Sequence, residues 1–174
     1  MDQAFMKEKK ILPLVISMSL PMVISMCVNS LYNIVDSFFV AKLSEDAMTA
    51  LSLVFPVQNF VNSVAVGFGI GINAVMAIRL GGGDKENSDK AASQGVMLSI
   101  LHGIILTFVC IFGMPLFLSL FTDNENIINM AVEYSNTAFL FSVIINVEIA
   151  FEKIVQAVGK MKVSMFSLIR RHAL

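Results

Sequence analysis

Four long apolar runs follow one another along this chain: Ile11–Val40, Leu51–Ile78, Ala91–Phe121 and Ile127–Val158. About 20 apolar residues, rising ~1.5 Å each, are enough to cross the hydrocarbon core of a bilayer. Every run exceeds that length. A membrane strand needs only about 10 residues, and a long segment in hydrocarbon must satisfy its backbone groups within itself. The runs therefore predict helices, and the fold class is all-α: a polytopic transmembrane helical bundle of four full spans. A fifth apolar segment opens at Val163 and stops at Ile169, the start of another helix. It is followed by the atypical end Arg170-Arg171-His172-Ala173-Leu174. Composition agrees, with 14% charged residues against about 25% in a soluble domain. A net charge of −1 gives nucleic acid nothing to respond to, so no nucleic-acid partner is expected; the lipid bilayer is.

The connections set the orientation. Residues 1–10 hold Lys7, Lys9 and Lys10; the second connection holds Arg79, Lys85 and Lys90. The region around the end of the fourth run holds Lys153, Lys160 and Lys162, then the two arginines. The first connection has only Lys42, offset by Glu45 and Asp46, and the third has Asp123 and Glu125 without a cation. Eleven of the twelve cationic residues thus fall on one side, and the positive-inside rule makes that side, with the amino terminus, cytoplasmic. The expected location is the plasma (inner) membrane. The first run is too long for a signal peptide and has no cleavage site, so it reads as a retained helix. Gly81-Gly82-Gly83 closes the second helix, and Asp84, Asn87 or Ser88 caps the next.

Polar residues inside the runs are the candidates for function, because ionisable groups in hydrocarbon are costly and face a cavity or a partner. Asn29, Asn33 and Asp36 share one helix face, which continues inward through Met18, Met22 and then Ser25 or Met26. Two readings stand: Asp36 as an interfacial cap over ordinary packing methionines, or a wet cavity wall with an adaptable greasy half and an ionisable half. On the second helix Gln58, Asn59 and Asn62 lie on roughly one side, with Asn73 further along. They are either interhelical hydrogen-bonding groups or the facing wall. Gly67 and Gly71 fit a small-xxx-small helix contact, not a nucleotide loop, since no strand precedes them. Pro21 and Pro56 are kink candidates. Cys27 and Cys110 read as packing residues, His102 as a packing residue in preference to a proton relay, and Glu148 and Glu152 as groups that either snorkel or pair with Lys153. No catalytic triad, paired catalytic carboxylates, Walker loop or metal-ligand cluster can be assembled, so an enzyme, a metal site and a cofactor are not expected.

Leu31-Tyr-Asn-Ile-Val-Asp36-Ser-Phe-Phe-Val40, Phe55-Pro56-Val57-Gln58, Arg79-Leu-Gly-Gly-Gly-Asp84 and Gln156-Ala-Val-Gly159-Lys-Met-Lys-Val-Ser164-Met165, in that order, resemble the amino-terminal portion of the multidrug and toxic compound extrusion (MATE) family. The resemblance covers residues 11–169. It implies a partial amino-terminal lobe of a twelve-helix, two-lobe secondary transporter, whose remaining helices would be this portion's partners. It implies an antiporter that exports organic, often cationic, drug-like compounds in exchange for H+ or Na+. Asp36 matches the family's ion-coupling acid, and Met22, Met26, Asn29, Asn33, Gln58, Asn59 and Asn62 are the cavity candidates. The family completes its ion site with an amide and a carboxylate on the fifth helix, where this sequence instead reads Arg170 to Leu174. The alternatives are a lipid-linked glycan flippase of the same superfamily and a non-functional membrane fragment.

Overall fold

The computed structural model describes residues 10–173, with side chains as far as residue 167. Six helices follow one another: α1 (Ile11–Ala41), α2 (Glu45–Gly81), α3 (Lys85–Ser119), α4 (Glu125–Leu140), α5 (Ser142–Ala157) and α6 (Met161–Ala173). There is no strand among the described residues. The expectation for the amino-terminal tail falls on residues 1–9, outside those described. So do the side chains of Arg170 to Leu174, although α6 continues through Ala173.

Three helices, α1 to α3, are long and apolar enough to cross a membrane. α2 and α3 begin six residues before their apolar runs, at capped polar ends. Ser44 accepts from the Ala47 N–H at 3.0 Å, with Glu45 and Asp46 in the first turn of α2 complementing the helix dipole. Asp84 caps α3 by accepting from the Asn87 N–H at 3.2 Å and the Asn87 side chain at 2.8 Å. Of the three consecutive glycines, Gly83 takes the left-handed conformation, with φ of 81°, which a side chain would oppose.

The fourth run differs from expectation. It is not one continuous helix but two 16-residue helices, α4 and α5, meeting at Phe141. No proline or glycine lies there. Thr107 of α3 supports the junction: its hydroxyl lies 3.2 Å from the Phe139 carbonyl and 2.6 Å from the Ser142 hydroxyl. A side chain inserted beside the helical ladder is a recognised cause of a bend. Pro21 and Pro56, the kink candidates, both lie within continuous helices.

The core joins α2, α3, α4 and α5. Val54, Met114, Leu118, Ala131 and Phe139 are buried at its centre, and Ile72, Met76 and Ala150 form a second cluster. Close helix approach occurs at glycines other than those singled out by spacing. A Cβ on Gly95 would lie 2.6 Å from Ile72, and one on Gly103 would lie 3.2 Å from the Val143 Cα. Gly67 and Gly71 face open space, so their small-xxx-small contact is not made here. α1 stands apart, packing mainly on α6 and only lightly on α2; its buried residues are Pro21 and Ser25. Cys27 is exposed, against expectation, whereas Cys110 is buried.

Candidate functional site

Because α1 touches α2 so lightly, a cavity of about 940 Å³ opens between α1 and the α2–α4–α5 face. Asn29, Asn33 and Asp36 line it from α1, as their spacings of four and three require. Gln58, Asn59 and Asn62 line it from α2. Six of the eight candidate residues thus converge on one space.

Met22 and Met26 do not line the cavity. Helical spacing places them below Asn29 and Asn33 on the same face, but the α1 wall of the cavity stops at Asn29. Met22 is half-buried and Met26 is 64% exposed. Helical phase is a property of α1 alone; how far down the cavity reaches depends on where the facing helices close.

The other wall comes from residues the sequence reading did not assign to it. Tyr134 and Thr137 come from α4, Phe141 from the junction, and Ser142, Asn146 and Glu148 from α5. Gln58 donates to the Tyr134 hydroxyl at 3.3 Å, which ties the α2 wall to α4. The hydroxyls of Tyr134 and Thr137 lie three residues apart on α4, and Ser142 and Asn146 lie four apart on α5, so each pair shares a face of its own helix; both pairs line one wall because the two helices meet at Phe141. Glu148 lies on this cavity wall, while Glu152 pairs with Lys153 at 3.2 Å. That pair is inside the bundle, with both side chains 12% exposed. Gln156 completes it, accepting from Lys153 at 3.2 Å and donating to Glu152 at 2.6 Å and to the Ser164 hydroxyl of α6 at 2.9 Å. Asn73 is used structurally, donating to the Lys153 carbonyl at 2.9 Å.

The two carboxylates of the cavity, Asp36 and Glu148, share it with no basic side chain among the described lining residues. Apolar side chains at Met48, Leu51, Phe55, Phe139 and Ile145 fill the rest of the wall. A space of this kind can hold an organic molecule by its apolar surface, orient it through amides, and favour positive charge.

The MatE family model matches residues 21–172. The chain belongs to the MatE family. A FAD transporter of Shewanella oneidensis is 29% identical to this MatE chain over 120 residues, 68% of this chain and 26% of the relative. Multidrug export protein MepA of Staphylococcus haemolyticus is 23% identical over 166 residues, 95% of this chain and 37% of the relative. Both relatives are transporters. A solved structure, the outward-facing conformation of a multidrug resistance MATE family transporter of the MOP superfamily, superposes with a TM-score of 0.88 at 28% identity. It does so over 92% of this chain and 36% of that one. The MatE chain therefore spans between about a quarter and about two fifths of the length of these relatives.

Proposed function

We propose that the protein to which this lobe belongs is a cation-coupled multidrug antiporter, exporting organic and preferentially cationic compounds in exchange for H+ or Na+. In this reading the described helices form part of the amino-terminal lobe of a twelve-helix, two-lobe assembly, with the amino terminus cytoplasmic. The observation that carries it is the cavity itself: two carboxylates, a ring of amides and apolar side chains, and no basic group among the described lining residues.

Asp36 binds the coupling cation. A proton or sodium ion on Asp36 changes the charge of the α1 wall, and an organic cation in the cavity competes for the same negative charge. Binding that differs between inward-open and outward-open arrangements biases the equilibrium between them. The same competition makes export depend on ion entry. An anionic cargo fits this wall less well. FAD, named for one relative, and a lipid-linked glycan both carry phosphates, and phosphates call for basic partners that the described wall lacks.

The test uses the full-length protein expressed in drug-sensitive cells. Asp36→Asn should abolish ion-driven efflux of a fluorescent organic cation while the protein still reaches the membrane. Dissipating either the proton or the sodium gradient in the unaltered protein should identify the ion. Unchanged gradient-driven export by Asp36→Asn would overturn the assignment.

A further inference from the structure

His102 sits in α3 beside the cavity wall but does not line the cavity, and the ion-coupling reading makes no use of it. Its ring is closely held. Nδ1 lies 2.7 Å from the Leu98 carbonyl and Nε2 lies 3.0 Å from Asn146 Oδ1. The ring stacks on Phe68 of α2, with centroids 4.3 Å apart and planes 23° from parallel.

Both ring nitrogens therefore face oxygen acceptors. A neutral imidazole carries one N–H and one lone pair, and only the imidazolium has two donors. Turning the Asn146 amide over would not relieve the conflict. Its Nδ2 donates to the Ser142 carbonyl at 2.7 Å, so a flipped amide would set oxygen against oxygen there. The stack on Phe68 points the same way, since the face of an aromatic ring attracts a cation. The arrangement suits a ring holding two protons.

The surroundings of the ring carry little competing charge. α2 has no ionisable side chain between Asp46 and Arg79, and α3 has only Cys110 beyond His102. On α5 the ionisable groups are Glu148, on the cavity wall, and Glu152 with Lys153, which are paired with each other. Among the described residues the ring's polar contacts are Leu98 and Asn146.

We propose that His102 is a proton-binding site distinct from Asp36, and that the Asn146 amide reports its occupancy to the cavity wall. With two ring protons the amide is clamped between His102 and the Ser142 carbonyl. When one proton leaves, either the ring turns away from Leu98 or the amide turns away from the ring. Asn146 is 2% exposed and lines the cavity, as does Ser142. Ser142 also meets Thr107 at the bend between α4 and α5. The proton on His102 is thus linked through the Asn146 side chain and the Ser142 carbonyl to the shape of the wall.

The test reads the proton directly, so it succeeds or fails independently of the Asp36 assignment. In the chain reconstituted in lipid nanodiscs, His172→Gln leaves His102 as the single histidine. Nitrogen-15 NMR of the ring and of the Asn146 side chain is then followed between about pH 5 and 8, the range in which imidazole exchanges its second proton. The expected result is a loss of one ring proton on going to alkaline pH, with the Asn146 amide signals shifting at the same midpoint. His102→Phe, which keeps a ring against Phe68, and His102→Gln, which keeps a donor toward Asn146, should each abolish that pH-dependent shift. A ring with a single proton throughout, or an Asn146 amide that does not move with the ring, would overturn the proposal. So would an amide that still titrates in whichever of the two variants folds.

Discussion

Glycine shows at single-residue scale why spacing and contact are different things. Gly67 and Gly71 have the spacing of a helix-packing motif, yet a Cβ at either would meet nothing within 4 Å. Gly103, which stands four residues from Ser99 and eight from Gly95, lies against the backbone of α5. Gly103→Ala is expected to lower stability by about 1–3 kcal/mol through overpacking, because a neighbouring backbone cannot yield as a side-chain tip can. Gly67→Ala should stay within about 0.5 kcal/mol of the parent. Thermal unfolding of the two variants in the same detergent checks the contrast. At the second connection, hydrogen bonds from the Asn87 side chain and then from its backbone N–H hold the Asp84 carboxyl below its ordinary value of 3.8, helped by Arg79 and Lys90. A lowered folded-state value means that the charged cap contributes fully above the ordinary value and is lost as pH falls through the lowered one. The start of α3 should therefore be insensitive to pH near neutrality and fray only in strong acid. Asn87→Ala should move that fraying to higher pH, as read by hydrogen exchange at the first amides of α3.

At the scale of elements, the apolar runs show α1, α2 and α3 plainly, because burial in hydrocarbon and backbone satisfaction are local demands that each segment meets alone. The break at Phe141 carries no such mark. Nothing between Leu140 and Ser142 disfavours a helix; the partner is Thr107, contributed by a different helix. Its hydroxyl serves the Gly103 carbonyl at 2.9 Å as well as the Phe139 carbonyl and Ser142. Thr107→Val keeps the shape but removes the one hydroxyl proton that the two carbonyls share and the oxygen that meets the Ser142 hydroxyl, at an expected cost of about 1–3 kcal/mol. Thr107→Ser should recover most of it. Unfolding in detergent, with the parent as reference, measures both. The Glu152–Lys153–Gln156 cluster is a similar case. The sequence reading placed Lys153 beside two glutamates one turn apart, and packing chose between them: Glu152 pairs with the lysine and Glu148 turns to the cavity.

At the scale of the whole molecule, the described helices form a tight group of four, α2 to α5, with α1 and α6 packed together beside it. α1 buries so little against α2 that its central amides should exchange with solvent faster than those of α3. Hydrogen exchange in nanodiscs reads this directly, and equal protection along the two helices would contradict the arrangement. The orientation is a further whole-molecule expectation from the cationic residues. A tag in the connection 122–126 should be labelled from outside intact cells, and one before Lys7 only after permeabilisation. Asn126 donates to Asp46 at 3.0 Å, joining the first and third connections, which the charge pattern assigns to the same side. The sequence by itself determined the helical class, the positions of three long helices, the segregation of positive charge and the polar face ending at Asp36. Hydropathy and helical phase are local quantities, and they can be read along one segment. Tertiary structure alone decided the bend, the far wall of the cavity and the partners of His102. Those depend on residues 76 positions apart at Gln58 and Tyr134, 44 at His102 and Asn146, and 35 at Thr107 and Ser142. Such pairs are set by how helices dock at small side chains such as Gly95 and Gly103, and no periodicity within one helix encodes which neighbour will be there.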